Sequence, residues 1–202
     1  MARRIAEISL ELPEFWYWMP EPGRALTGWQ QEMASQVIPP DKRTEATIAR
    51  LVEHLNSVYR SVESSGFTGI RSAVMAPPTW AGGIAAVISL RATQVGSLDA
   101  FGAELAHWTQ GSPEETFQRV DPLEADLPAG RALGVRVIKG NVYVDDLGTQ
   151  SQALEERIVI GIEPPGSNNL VEVVVIAAGL GAFQDLPGDI LALLQGLRVR
   201  VA

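Results

Sequence analysis

Residues 170–179, LVEVVVIAAG, are apolar at almost every position, and no other stretch limits the possible folds as much. A strand with one face in water alternates apolar and polar residues, whereas an unbroken apolar strand needs cover on both faces. The run is too short for a membrane span, contains Glu172 and breaks at glycines. It is read as a central, buried strand. Just before it, QALEERIVIGIEPP sets Ile158, Ile160 and Ile162 on one face, and Pro164-Pro165-Gly166-Ser167-Asn168-Asn169 is a dense turn signal. The two strands are therefore expected to pair antiparallel.

The cover must come from helices. Ile48, Leu51, Leu55, Val58, Tyr59 and Val62 recur at helical spacing after Pro39-Pro40-Asp41, with charges mostly on the other face. This predicts an amphipathic helix with Asp41 as its N-cap and Ser64-Ser65-Gly66 as its stop. RALTGWQQEMASQVI reads as a short helix before it. IRSAVMAP and GGIAAVISLRATQV read as a hairpin pair, with Ile84, Ala86, Ile88, Leu90 and Ala92 on one face. Ser97 caps a predicted helix SLDAFGAELAHW, and Ser112-Pro113-Glu114-Glu115 is a capping box for another. FQRVDPLEADL and RALGVRVIKG are strand candidates, a helix is expected near 186–195, and LRVRV reads as an edge strand. At the other end Ile8, Leu10 and Leu12 alternate with polar residues, predicting a half-buried strand. Hairpin strands with helices set apart from them predict an α+β fold: an antiparallel sheet with helices packed on both faces, an α/β/α sandwich. No repeat, linker or low-complexity tract divides residues 1–202, so one domain is expected, with 13–40 as an N-terminal elaboration.

With 46% hydrophobic and 20% charged residues and no cysteine, a chain of 202 residues buries enough surface to fold without metal or disulfide staples. Thiolate zinc sites, disulfides and cysteine nucleophiles are excluded. A net charge of −8 disfavours a nucleic-acid groove or adhesion to anionic lipid. Neither a signal peptide nor a membrane span is read, so a cytoplasmic protein is expected.

The order of these elements resembles the PsbP-like (Mog-type) α/β/α sandwich family. The matching stretches are the helix ending VYRSVESSGF, the hairpin IRSAVMAPPTWAGGIAAVISLRA, the segment VDPLEADLPAGRALGVRVI, and LVEVVVIAAG followed by DILALLQGLRV. In an actinobacterial branch of that family a Leu-Pro-x-Gly-x-Ala turn precedes the later strands, as Leu127-Pro128-Ala129-Gly130-Arg131-Ala132 does here. The resemblance covers about residues 45–201. Members of the fold include an extrinsic photosystem II subunit, a nuclear import factor that binds the GTPase Ran, bacterial lipoproteins and chaperones of type VI secretion effectors. It implies a binding or assembly role, such as an accessory factor or chaperone in bacterial secretion, and transfers no site residue, because no contact motif is shared.

The chain offers little from which to build catalysis. Its only histidines are His54 and His107, and neither has a local partner for a base–nucleophile system. The doublets Glu114-Glu115, Asp145-Asp146 and Glu155-Glu156 are read as a helix start, a turn and a strand whose neighbours point oppositely. Gly179-Leu180-Gly181-Ala182-Phe183-Gln184 lacks the third glycine of a dinucleotide fingerprint, and too little chain follows for a ribose ligand. No catalytic residue, cofactor or metal is assigned.

Surface recognition remains. PEFWYWMPEPG places Phe15, Trp16, Tyr17 and Trp18 in a row, bracketed by prolines, and Trp80 lies in a Pro-Pro/Gly-Gly loop. Aromatic residues anchor interfaces because they bury large areas at low entropy cost. If the run is extended, parity puts Trp16 and Trp18 on the face of Leu10 and Leu12, with Phe15 and Tyr17 opposite. Either this chain's own helix or another molecule then covers the second pair. These five residues are the candidate contacts with a protein partner or a second copy. The alternatives are a small-molecule-binding module or weak hydrolase with a pocket between sheet and helix, and a structural component of a phage or other particle.

Overall fold

The computed structural model describes residues 3–21, 27–64, 69–77, 83–93, 96–111, 116–144, 150–177 and 179–202. In chain order the first half runs β1 (Ile5–Leu10), β2 (Trp16–Trp18), α1 (Thr27–Val37), α2 (Glu45–Ser64), β3 (Arg71–Met75) and β4 (Ala86–Ala92). There follow α3 (Leu98–Trp108), β5 (Thr116–Leu127), β6 (Gly130–Val144), β7 (Gln150–Glu163), β8 (Val171–Ala177), α4 (Leu186–Leu194) and β9 (Leu197–Val201). The fold is α+β, with antiparallel sheet pairing and, among the described residues, four α-helices. The chain forms two compact units, Leu12–Leu90 and Met1–Glu11 with Arg91–Ala202.

In the first unit α2 is the amphipathic helix read from the sequence, but it starts three residues later than an Asp41 cap would place it. Pro39, Pro40 and Lys42 instead close a 3₁₀ turn, with Lys42 N–H donating to Pro39 O at 2.9 Å. The helix is capped by Thr44: Thr47 N–H donates to Thr44 Oγ1 at 3.2 Å, and Thr44 N–H donates back to Thr47 Oγ1 at 2.9 Å. A reciprocal pair of this kind satisfies two first-turn donors at once, which a residue inside the preceding turn cannot do. The expected stop at Gly66 lies outside the described residues, and the helix ends at Ser64. Leu51, Leu55 and Tyr59, spaced four apart, pack with Met33, Val37 and Ile38 of the α1 side and with Val74, Ala76 and Ile84. Burying each large aliphatic side chain contributes about 1.5–3 kcal/mol. One polar pair fixes the register of α1 on α2: Gln30 Nε2 donates to Asn56 Oδ1 at 2.5 Å. β3 and β4 form the expected antiparallel hairpin pair, with Ala73 opposite Ile88 and Val74 opposite Val87. Ile84, Ala86, Ile88 and Leu90 are all buried, as their alternation requires, while Ala92 is exposed.

In the second unit β5, β6, β7 and β8 pair in sequence, all antiparallel. Ile158, Ile160 and Ile162 of β7 and Val171, Val173 and Val175 of β8 are fully buried. On the opposite face α3 docks, and Leu98, Phe101 and Leu105 meet Val159 and Leu170, with Leu133, Val135 and Val174 at the margin. Gly161 makes room for this contact, since a Cβ there would lie 2.6 Å from the Phe101 ring. Ser97 caps α3 as read, accepting from Ala100 N–H at 3.2 Å. The Ser112–Glu115 capping box lies outside the described residues, and from Thr116 the chain is already strand. Asp185 caps α4, accepting from Gly188 N–H at 3.1 Å.

β1 and β9 form a separate two-stranded antiparallel ribbon. Ile8 opposes Val199 and Leu10 opposes Leu197, while Glu7 opposes Arg200 on the polar face. Their ion pair, at 3.1 Å, is exposed on both sides and contributes little.

Candidate functional site

The candidate site begins where the reading of a single long N-terminal strand fails. β1 ends at Leu10, and Glu14-Phe15 form a turn in which Phe15 has φ +70°. That break resets the alternation, so Trp16 and Trp18 do not continue the face of Leu10 and Leu12. β2 pairs instead with β3: Trp16 opposite Met75, Tyr17 opposite Val74, Trp18 opposite Ala73.

The aromatic run is thereby divided. Tyr17 packs against the α1–α2 core, so this chain's own helices cover it. Burial raises the pKa of its phenol, and the charge of Glu14 raises it further. Alternation then turns Trp16 and Trp18 to the other face. There the Arg71 guanidinium lies 4.3 Å from the Trp18 ring centroid, a cation–π contact that holds the indole in place. All four aromatics are partly exposed, none fully buried. Trp80 lies outside the described residues.

Phe15 holds a conformation that bulky residues rarely adopt. Its carbonyl accepts from Ala76 N–H at 2.9 Å, and Trp16 N–H donates back to Pro13 O at 3.2 Å. Replacing it with glycine relieves backbone strain of about 1 kcal/mol but removes a half-buried ring. Phe15→Gly is therefore expected to shift stability in urea by less than about 1 kcal/mol. A loss of twice that would mean that ring burial, not the turn, governs the position.

The main chain of β2 matters as much as its rings. Phe15 O accepts from Ala76, and Met19 N–H donates to Ser72 O at 2.8 Å. These flanking bonds put the odd-numbered residues on the β3 ladder. Trp16 C=O, Trp18 N–H and Trp18 C=O consequently point away from β3, and no further hydrogen bond engages them among the described residues.

The other chemical candidates are weaker. His54 is surface-exposed on α2, and neighbouring bulk lowers its pKa by desolvation. His107 is exposed in the last turn of α3, where a basic group suits the helix dipole. Glu155 and Glu156 point to opposite faces of β7: Glu155 pairs with Arg157 at 2.7 Å and Glu156 with Arg136 at 2.6 Å. Asp145-Asp146 and Glu114-Glu115 lie outside the described residues. Ala182 N–H donates to Gly179 O at 3.4 Å, so the Gly179–Gly181 segment forms a turn. A shallow hollow of about 360 Å³ opens beside the β5–β6 hairpin. Its carboxylates, Glu124 and Asp126, are exposed. Among the described residues no three acidic or histidine side chains are placed to hold a metal ion, and no described helix is long and apolar enough to cross a membrane. No protein-family model matches the chain, and no curated protein sequence matches it.

What sequence reasoning missed is the ion-pair network of Arg119, Asp121, Arg136 and Glu156 across β5, β6 and β7. Arg119 and Asp121 are neighbours on one face of β5, but Arg136 lies 15 positions from Asp121 and 20 from Glu156, and only the strand register brings it to them. No local signal marks them.

Proposed function

We propose that this chain is a cytoplasmic, non-catalytic protein-binding module of the PsbP-like type, engaging its partner through β2. One observation carries this reading: β2 combines two outward tryptophans with main-chain groups directed away from β3. Large flat side chains beside unpaired peptide groups are what a protein ligand can use for area and for register at once. The order of a long helix, a hairpin, antiparallel strands, and a closing helix and strand supports the PsbP-like assignment. The role of accessory factor or chaperone in bacterial secretion or assembly rests on that resemblance.

The test is affinity capture from the native host with wild type and a Trp16→Ala/Trp18→Ala variant whose thermal unfolding matches wild type. Partners retained by wild type should be lost by the variant. A folded variant that keeps every partner would remove β2 as the binding site.

A further inference from the structure

We infer that the partner binds β2 by strand addition, as an extended segment with a basic residue between two apolar ones. This rests on β2 being the binding site and goes further by specifying the mode and the ligand's chemistry.

β5 and β2 differ in how they treat an incoming strand. β5 carries Pro122, a register break between Phe117 and Arg119, and the charges of Arg119, Glu124 and Asp126. Each of these devices discourages edge-to-edge pairing. β2 carries none of them within Trp16–Trp18, and it presents a short ladder. An antiparallel segment can exchange both main-chain bonds with Trp18 and donate one more to Trp16 O. The ladder stops there by construction. Trp16 N–H is already given to Pro13 O, and Pro20 has no N–H to offer. Three bonds fix one register.

That register assigns the ligand's side chains. Residues opposite Trp16 and Trp18 share the indole face and gain from being apolar, since cross-strand aromatic–aliphatic pairs are favourable. The residue between them lies opposite Tyr17 and beside the exposed Glu14 carboxylate, whose charge is felt at the Tyr17 phenol. A lysine or arginine fits there, and a carboxylate does not.

The probe is acetyl-Thr-Val-Lys-Val-Thr-amide, titrated into ¹⁵N-labelled full-length protein. The expected result is a saturable shift of the Trp18 backbone amide together with slowed hydrogen exchange at that amide. The Val-Glu-Val peptide should bind about tenfold more weakly, and a Val-Lys-Val peptide N-methylated at both valines should not bind. Equal binding of the N-methylated peptide would overturn strand addition while leaving β2 as an aromatic binding site. No shift with any peptide would also overturn it. A Trp18 amide shift that follows protein concentration without peptide would overturn it too, by assigning the edge to a second copy of the chain. Loss of partner capture in the tryptophan variant, tested separately, distinguishes failure of this mode from failure of the site.

Discussion

Gly130→Ala is expected to destabilise the protein by about 3 kcal/mol or more, from strain and overpacking together. Gly130 opens β6 directly after the Pro128-Ala129 turn, with φ +140°, outside the range that side chains tolerate. A Cβ there would lie 2.0 Å from Glu163 O and 2.6 Å from its carbonyl carbon. Backbone atoms cannot rotate away as a side chain can, so either the hairpin turn or the β6–β7 pairing at Arg131–Glu163 must shift. Urea unfolding monitored by tryptophan fluorescence measures the effect. A loss below about 1 kcal/mol would mean that the hairpin end relaxes freely and that the close approach does not constrain it.

Arg136→Met is expected to cost about 3 kcal/mol, the low end for breaking a buried ion pair. Arg136 Nε donates to Glu156 Oε1 at 2.6 Å, and its Nη1 lies 3.4 Å from Asp121 Oδ2. The Glu156 side chain is only 4% exposed, against 22% for Arg136. Removing the arginine therefore strands a buried carboxylate, whereas Asp121 keeps Arg119 at 2.7 Å. The double variant Arg136→Met/Glu156→Leu is expected to recover most of the loss, because removing both charges also removes the cost of desolvating them. A double variant no more stable than the single one would show that packing around Arg136, not charge, sets the effect. Equilibrium unfolding of the full double-mutant cycle measures the coupling.

The parts of this fold that could be read in advance are those governed by local periodicity. The apolar runs gave β7 and β8 their buried faces, and the spacing of Leu51, Leu55 and Tyr59 gave α2 its inner side. Ser97 announced its helix because a cap is a contact three residues long. The misreadings came where a nearby competing group decided the outcome. Thr44 and Thr47 displaced Asp41 because their mutual cap satisfies more donors than a residue inside a proline turn can. At the candidate site the residue types were legible but the geometry was not. Four consecutive aromatics read as one strand, yet β1 ends at Leu10 and the turn at Glu14-Phe15, with its positive φ at Phe15, resets the alternation before β2. No periodicity argument contains that angle. The Arg136–Glu156 pair was hidden for a related reason, since its residues meet only through the β6–β7 register.

The ribbon of β1 and β9 has a consequence for the order of assembly. Glu7 and Arg200 meet across 193 positions of sequence, so on the ribosome β1 emerges well before its partner strand. Closing so long a loop costs little more entropy than closing one half as long, but it cannot begin until β9 has been made. Residues Leu12–Leu90 form a continuous unit and have no such wait. The aromatic edge can thus be in place on the nascent chain while IAEISL still awaits β9, so β1 pairs only after the strands between the two have been made.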